Sequence, residues 1–285
     1  MHRQSLTLFA AALVAGAAPA TAADWDGPQE PFALYGNTYY VGPHGVSSVL
    51  ITSPAGHILI DGGSPKSPEK IAQRIRQLGF RIEDVKYILN SHDHYDHAGG
   101  IAALQRLSGA KVLSSTVGAA VLRTGVTSAD DPQLTDLPAK MAPVGRVEAI
   151  ADGGVVKVGP LRVTAHYTPG HAPGGVSWTW QSEQDGTMAN MVYADSLSAR
   201  AAAPYRFRDH PAMRDSLTRS IAVVAALPCD ILVSAHPEAS DLWERLEKAG
   251  RQGKAAFIDR NACRAYAAEA SARLASVLAE EGAQP

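Results

Sequence analysis

Apolar residues fall in short runs along most of this chain, and Gly, Pro and Asp separate them. Such runs predict strands where apolar residues alternate or are β-branched, and helices where they recur every three or four positions. Three strands are expected first: Phe32-Ala33-Leu34-Tyr35, Thr38-Tyr39-Tyr40-Val41 and Ser47 to Thr52. Pro54-Ala55-Gly56 makes a turn, and His57-Ile58-Leu59-Ile60 returns as a strand ending in Asp61-Gly62-Gly63. Ser67-Pro68 supplies an N-cap and a first helical residue. Ile71, Ile75 and Leu78 then share one helix face, and Gly79 closes it. Val85 to Leu89 is a compact run that predicts a buried strand with Asn90 at its end, followed by a helix over Ile101 to Leu107.

Lys111 to Ser114 predicts another strand and Thr116 to Leu122 a short helix. Thr124 to Val144 is rich in Asp, Pro and Thr and has little period, as expected of a long substrate-facing loop; no residue in it earns a role from its pattern. Val155 to Val158 and Leu161 to Tyr167 form a hairpin about Gly159-Pro160. Val176 to Gln181 and Met188 to Tyr193 continue the strands, and Ile231-Leu232-Val233 adds a buried one. Met213 to Leu227 is an amphipathic helix with Leu217, Ile221 and Val224 on its apolar face, and a last helix runs from about Arg264 to Glu280. Strands interleaved with helices in this way predict an α/β fold.

Histidines cluster where strands end. After Leu89 comes Ser91-His92-Asp93-His94-Tyr95-Asp96-His97-Ala98-Gly99-Gly100. Imidazole and carboxylate are the ligand set of zinc and its first-row neighbours. An extended chain would turn His92, His94 and Asp96 to one face, and the turn allowed by Gly99-Gly100 would bring His97 round. Such a site can hold two metals about 3.5–4 Å apart. His171 sits at the tip of Thr168-Pro169-Gly170-His171-Ala172-Pro173-Gly174-Gly175, and His236 follows the strand that ends at Val233. His57 is expected to be a strand or turn residue and His166, inside a strand, to be packed or surface-exposed, neither a ligand; His210 belongs to a loop with Tyr205.

H-x-H-x-D-H after a hydrophobic strand resembles the signature of the metallo-β-lactamase superfamily, and T-P-G-H-x-P-G-G resembles its third-histidine motif. Tyr193-Ala194-Asp195-Ser196-Leu197-Ser198 is similar to the corresponding stretch of the subclass B3 zinc β-lactamases. The resemblance implies a four-layer αβ/βα sandwich with the metal site at one edge, formed by one domain over residues 23–285. It implies two zinc ions, one on His92, His94 and His171 and the other on Asp96, His97 and His236. Asp96 would also orient a zinc-bound hydroxide that attacks the β-lactam amide of penicillins, cephalosporins and carbapenems, conferring antibiotic resistance. Ser196 and Ser198 would contact the substrate carboxylate, and Asp61 would sit beside the metals without ligating them. Asp195 keeps a related possibility open, since acyl-homoserine lactonases and glyoxalase II use an aspartate near this point to bridge both metals. The alternative is therefore a secreted metallo-hydrolase of the same fold acting on a lactone or thioester.

The N-terminus sets the compartment. His2 and Arg3, the apolar stretch Leu6 to Ala18 and the small residues Ala20-Thr21-Ala22 form the pattern of a secretory signal peptide over residues 1–22, which implies a periplasmic enzyme. The apolar stretch is too short to span a membrane. Cys229 and Cys263 are the only cysteines. Subclass B3 enzymes carry a disulfide in this region, so the resemblance implies a bridge between them. A net charge of −2 gives no electrostatic case for nucleic acid or an anionic membrane, and the expected partner is a small-molecule β-lactam, with no protein partner implied.

Overall fold

Period-two alternation in the strands sorts apolar side chains onto two faces, and in this protein both faces are covered. The computed structural model describes residues 25–283, so the signal peptide expected over residues 1–22 lies outside the described residues. The first sheet holds seven strands in chain order: β1 (Phe32–Tyr35), β2 (Thr38–Tyr40), β3 (Val49–Ile51), β4 (His57–Ile60), β5 (Val85–Leu89), β6 (Lys111–Ser114) and β7 (Val147–Ala149). β1 to β4 form an antiparallel meander, and β4 to β7 run parallel. The second sheet contains β8 (Val155–Val158), β9 (Leu161–Tyr167), β10 (Val176–Gln184), β11 (Thr187–Ala194) and β12 (Ile231–Ser234), ordered β12-β11-β10-β9-β8. Only its β11–β12 pair is parallel.

Helices α1 (Pro68–Gln77), α2 (Tyr95–Ala98), α3 (Ile101–Ser108) and α4 (Thr116–Thr124) cover one outer face and α5 (Pro211–Ala226) and α7 (Ala262–Ala283) the other, while α6 (Leu242–Gln252) packs Leu242 against the core between the sheets. Ile58 and Ile60 of β4 face the second sheet, where they share a core with Val163, Trp178, Met191 and Tyr193. Leu59, between them, faces the other way and packs with Ile71, Ile75, Ile101 and Leu104 of α1 and α3. The second sheet does the same, since Val192 and Leu232 meet Leu217, Ile221 and Val224 of α5 and Leu274 of α7. Helix, sheet, sheet, helix is the four-layer αβ/βα sandwich expected from the resemblance.

Some local expectations change. Ser67 precedes α1, but its side chain makes no capping bond; its hydroxyl donates to Asp26 Oδ1 at 2.9 Å instead. β7 and α6 add to the expected elements. α6 turns Leu242 and Arg245 inward together, so a buried cation interrupts its apolar stripe. Arg245 is held by the carbonyls of Leu232, Ser240 and Phe257.

Cys229 and Cys263 are joined, with Cα atoms 6.2 Å apart, and tie the segment before β12 to α7. The bridge closes a loop with a separation of 34 residues, for which the chain-entropy model gives about 3–4 kcal/mol. Replacing both cysteines with serine should lower the unfolding free energy by about that amount, read as an earlier urea midpoint with a slope that rises as the unbridged denatured chain exposes more surface. An unmoved midpoint would mean that the bridge constrains nothing.

Candidate metal centre

β4, β5, β9, β11 and β12 all end at one edge of the sandwich, and the polar residues that follow them converge there. Asp61, just past β4, is fully buried and has a left-handed backbone with φ of 59°. Its carboxylate accepts from the Ser91 amide at 2.7 Å, the Ser91 hydroxyl at 2.6 Å and the Tyr193 hydroxyl at 2.7 Å. The segment after β5 is thereby clamped before its first histidine. Asn90 adds a bond from its side chain to the His92 carbonyl at 2.7 Å.

His92 and His94 leave this segment in extended conformation, but Asp96 does not. The chain turns into α2 directly after His94, whose carbonyl accepts from the amides of His97 and Ala98 at 3.1 and 2.8 Å. Asp96 and His97 therefore project from a helical turn, which corrects the expectation of one extended face for His92, His94 and Asp96. The glycines also act differently from expectation. A Cβ on Gly100 would lie 2.2 Å from the Gly62 carbonyl oxygen, so glycine here allows two loops to touch. The Gly170 turn, with φ of 144°, likewise seats the His171 loop against the Leu217 backbone of α5.

Each of five histidines has one ring nitrogen facing an oxygen and the other directed inward. His92 Nδ1 donates to Asp195 Oδ1 at 2.8 Å, and its buried Nε2 has no partner. His94 Nε2 donates to Asp131 Oδ2 at 2.9 Å, leaving Nδ1 free. His171 Nδ1 lies 3.0 Å from the Ser198 carbonyl and 2.8 Å from its hydroxyl. His236 Nδ1 donates to the Gly45 carbonyl at 3.0 Å. His97 Nδ1 faces Asp61 Oδ2 at 3.5 Å, a contact longer than a good hydrogen bond. Oxygen partners of this kind fix the tautomer and aim of a ligating imidazole.

Among the described residues, two groups bring potential ligand atoms within 4.8 Å of one another: His92, His94 and His171, and His92, Asp96 and His97. His236 joins the second group, with Nε2 3.3 Å from His97 Nε2 and 3.5 Å from Asp96 Oδ2; Asp96 Oδ2 is itself 3.1 Å from His97 Nε2. A tetrahedral ion with bonds of 2.0–2.1 Å spaces its ligands about 3.3–3.4 Å apart, so these residues fit a metal. The donor set is nitrogen and oxygen without sulfur, which suits zinc.

Electrostatics agree at His92 and run the other way at His97, where burial would lower the imidazole but the Asp96 and Asp61 carboxylates outweigh it and push the ring up to about 10. Burial, and then the neighbouring His97 and His94, hold His92 well below the usual imidazole range, which keeps a lone pair available. Burial would raise the Asp96 carboxyl, but His97 beside it wins and holds it low. Burial pushes the Asp195 carboxyl well up. Asp195 lies behind His92, with one oxygen on that ring, so it is not placed between the two groups as a bridging ligand would be. Ser196 is buried near the same strand end, and the Ser198 hydroxyl is engaged by His171.

Asp131 and Gln133 were not visible in the sequence pattern. Both are buried at the centre of the long irregular loop, Gln133 with its amide nitrogen 3.3 Å from His171 Nε2. His57 and His166 lie within β4 and β9, and His166 pairs with Thr179. His210 stacks on Tyr205 with ring centroids 3.9 Å apart.

The model of the metallo-beta-lactamase superfamily matches residues 41–236, a span that ends at His236 and contains every candidate ligand. Among solved structures, MEM-A1, a subclass B3 metallo-beta-lactamase from a soil metagenome library, is 61% identical over 92% of this chain and 100% of its own, with a TM-score of 0.90. SMB-1 bound to 2-mercaptoethanesulfonate is 50% identical over 90% of this chain and 99% of its own, with a TM-score of 0.89. A hydroxyacylglutathione hydrolase of Anaeromyxobacter dehalogenans is 32% identical over 132 residues, 46% of this chain. The chain spans 41% of that relative's length and 59% of a second such hydrolase, from Pseudomonas paraeruginosa. The chain belongs to the metallo-beta-lactamase superfamily, and structures of subclass B3 members share its fold over nearly their whole length.

Proposed function

We propose that this protein hydrolyses the amide bond of β-lactam antibiotics with two zinc ions, one held by His92, His94 and His171 and the other by Asp96, His97 and His236. The observation that carries the reading is the pair of adjoining ligand groups, with four of the five histidines (His92, His94, His171 and His236) braced from behind by an oxygen, on a chain that matches MEM-A1 along the whole of that protein's length. When bound, zinc lowers the pKa of a water to near 7 and polarises a carbonyl.

The residues supply the rest. Asp96 is buried and held low in pKa, so it stays ionised, able to ligate the metal and to accept a hydrogen bond that orients the attacking water. Asp195, Ser198 and Gly45 keep His92, His171 and His236 in the tautomers that leave an inward lone pair. The segment Ser196 to Ser198, at the end of β11, is the place for the substrate carboxylate, with Ser196 as the uncommitted hydroxyl. Export through a leader over residues 1–22 and action in the periplasm belong to the same reading, supported by the charge and apolar pattern of the N-terminus.

A lactone or thioester substrate is the second reading, since a hydroxyacylglutathione hydrolase and an N-acyl homoserine lactonase match part of the chain. The position of Asp195 behind His92 disfavours it. Purified protein should open a penicillin, a cephalosporin and a carbapenem, and a chelator should stop all three. Turnover of an acyl-homoserine lactone or a glutathione thioester, with none of the β-lactams touched, would replace this reading with the second.

A further inference from the structure

The loop between α4 and β7 has no helix or strand from residue 125 to 146. Between positions 126 and 143 it is exposed or half-exposed except at Asp131, Pro132 and Gln133, which are buried. A loop that buries a carboxylate at its centre must give that charge a partner, because desolvating an unpaired carboxylate costs several kcal/mol. The partner is His94, 2.9 Å from Asp131 Oδ2. The other oxygen accepts from the Gln133 amide at 2.8 Å, and the Asp131 amide donates to the Ser128 carbonyl at 3.2 Å, so the carboxylate also organises the loop around itself. The loop is seated on the far side as well: the Ala202 amide donates to the Pro132 carbonyl and the Thr135 hydroxyl to the Ala203 carbonyl.

We propose that Asp131 is a positioning residue that couples the order of this loop to metal occupancy through His94. A metal on His94 Nδ1 leaves the ring proton on Nε2, the nitrogen that faces Asp131, and so selects the tautomer that donates to the carboxylate. The same bond, made first, turns the His94 lone pair inward and raises its basicity. Linkage is reciprocal: whatever Asp131 adds to metal affinity, the metal adds to loop order. Gln133 does not carry this coupling, because its contact lies on His171 Nε2, the lone pair a metal would take. The inference rests on the metal-centre reading and says nothing of the substrate.

Zinc affinity and loop protection test it without reference to activity. Stripped protein is titrated with zinc against a chromophoric chelator, and trypsin cleavage after the exposed Lys140 is followed with and without zinc. Asp131→Ala should weaken one of two zinc equivalents by about 10–100-fold and leave Lys140 cleavage fast even with zinc. Asp131→Asn, which keeps an oxygen acceptor, should recover part of both effects. In the wild type, removing zinc should speed cleavage at Lys140, a result that needs no variant to fold. Wild-type zinc affinity in Asp131→Ala, or cleavage indifferent to zinc in the wild type, overturns the coupling while the metal centre stands. If the wild type binds no zinc, the metal-centre reading falls and the coupling with it.

Discussion

His92→Ala should cut β-lactam hydrolysis by at least about 10³-fold, the scale expected when several kcal/mol of transition-state stabilisation by a metal is lost. His92 belongs to both groups of ligand atoms, and its Nε2 is buried without a partner. Its removal takes a donor from the first ion and also leaves the fully buried Asp195 without the imidazole it faces. Zinc content should therefore fall together with kcat/KM. His166→Ala is the control: that ring pairs with Thr179 within the second sheet, and the change should leave turnover near wild type. Comparable losses in the two variants would show that the histidines matter only for folding.

Asp61→Ala should lower stability by about 3–5 kcal/mol, the range for breaking a buried charged network by removing one partner. The carboxylate accepts from Ser91 twice and from Tyr193, and it faces His97. Truncation orphans these buried groups, and each orphaned donor costs about 1–3 kcal/mol. Because Ser91 precedes His92, the same change should loosen the metal centre. Asp61→Asn keeps one acceptor oxygen and should fall between alanine and wild type. A denaturant midpoint within about 0.5 kcal/mol of wild type, the ordinary range for surface substitutions, would contradict the clamp.

The layers and the histidines were legible because both are written locally. In β4 the unbroken apolar run Ile58, Leu59, Ile60 marks a strand, and such a run is apolar on both faces; the two packed cores receive them alternately. The spacing of His92, His94, Asp96 and His97 marks a metal site whichever way the chain bends, so mistaking the α2 turn for extended chain changed the path and not the set. Asp131 was invisible for the opposite reason. Its partner His94 is 37 positions away, and nothing within a polar loop distinguishes the one aspartate that turns inward. The Gly45 carbonyl that braces His236 acts through backbone 191 positions distant and carries no side-chain signal at all. α6 carries Leu242, Leu246 and Ala249 at helical spacing beside the buried Arg245, a pattern as local as that of the other helices.

In the proposed reading, hydrolysis depends on metal held by these six side chains. This dependence is tested most directly by stripping the protein with a chelator and following cephalosporin hydrolysis as zinc is returned in known equivalents. Turnover should be negligible in the stripped protein and should recover to a level reached by two equivalents of zinc per chain. Turnover that survives stripping, with metal content verified as zero, would contradict the dependence.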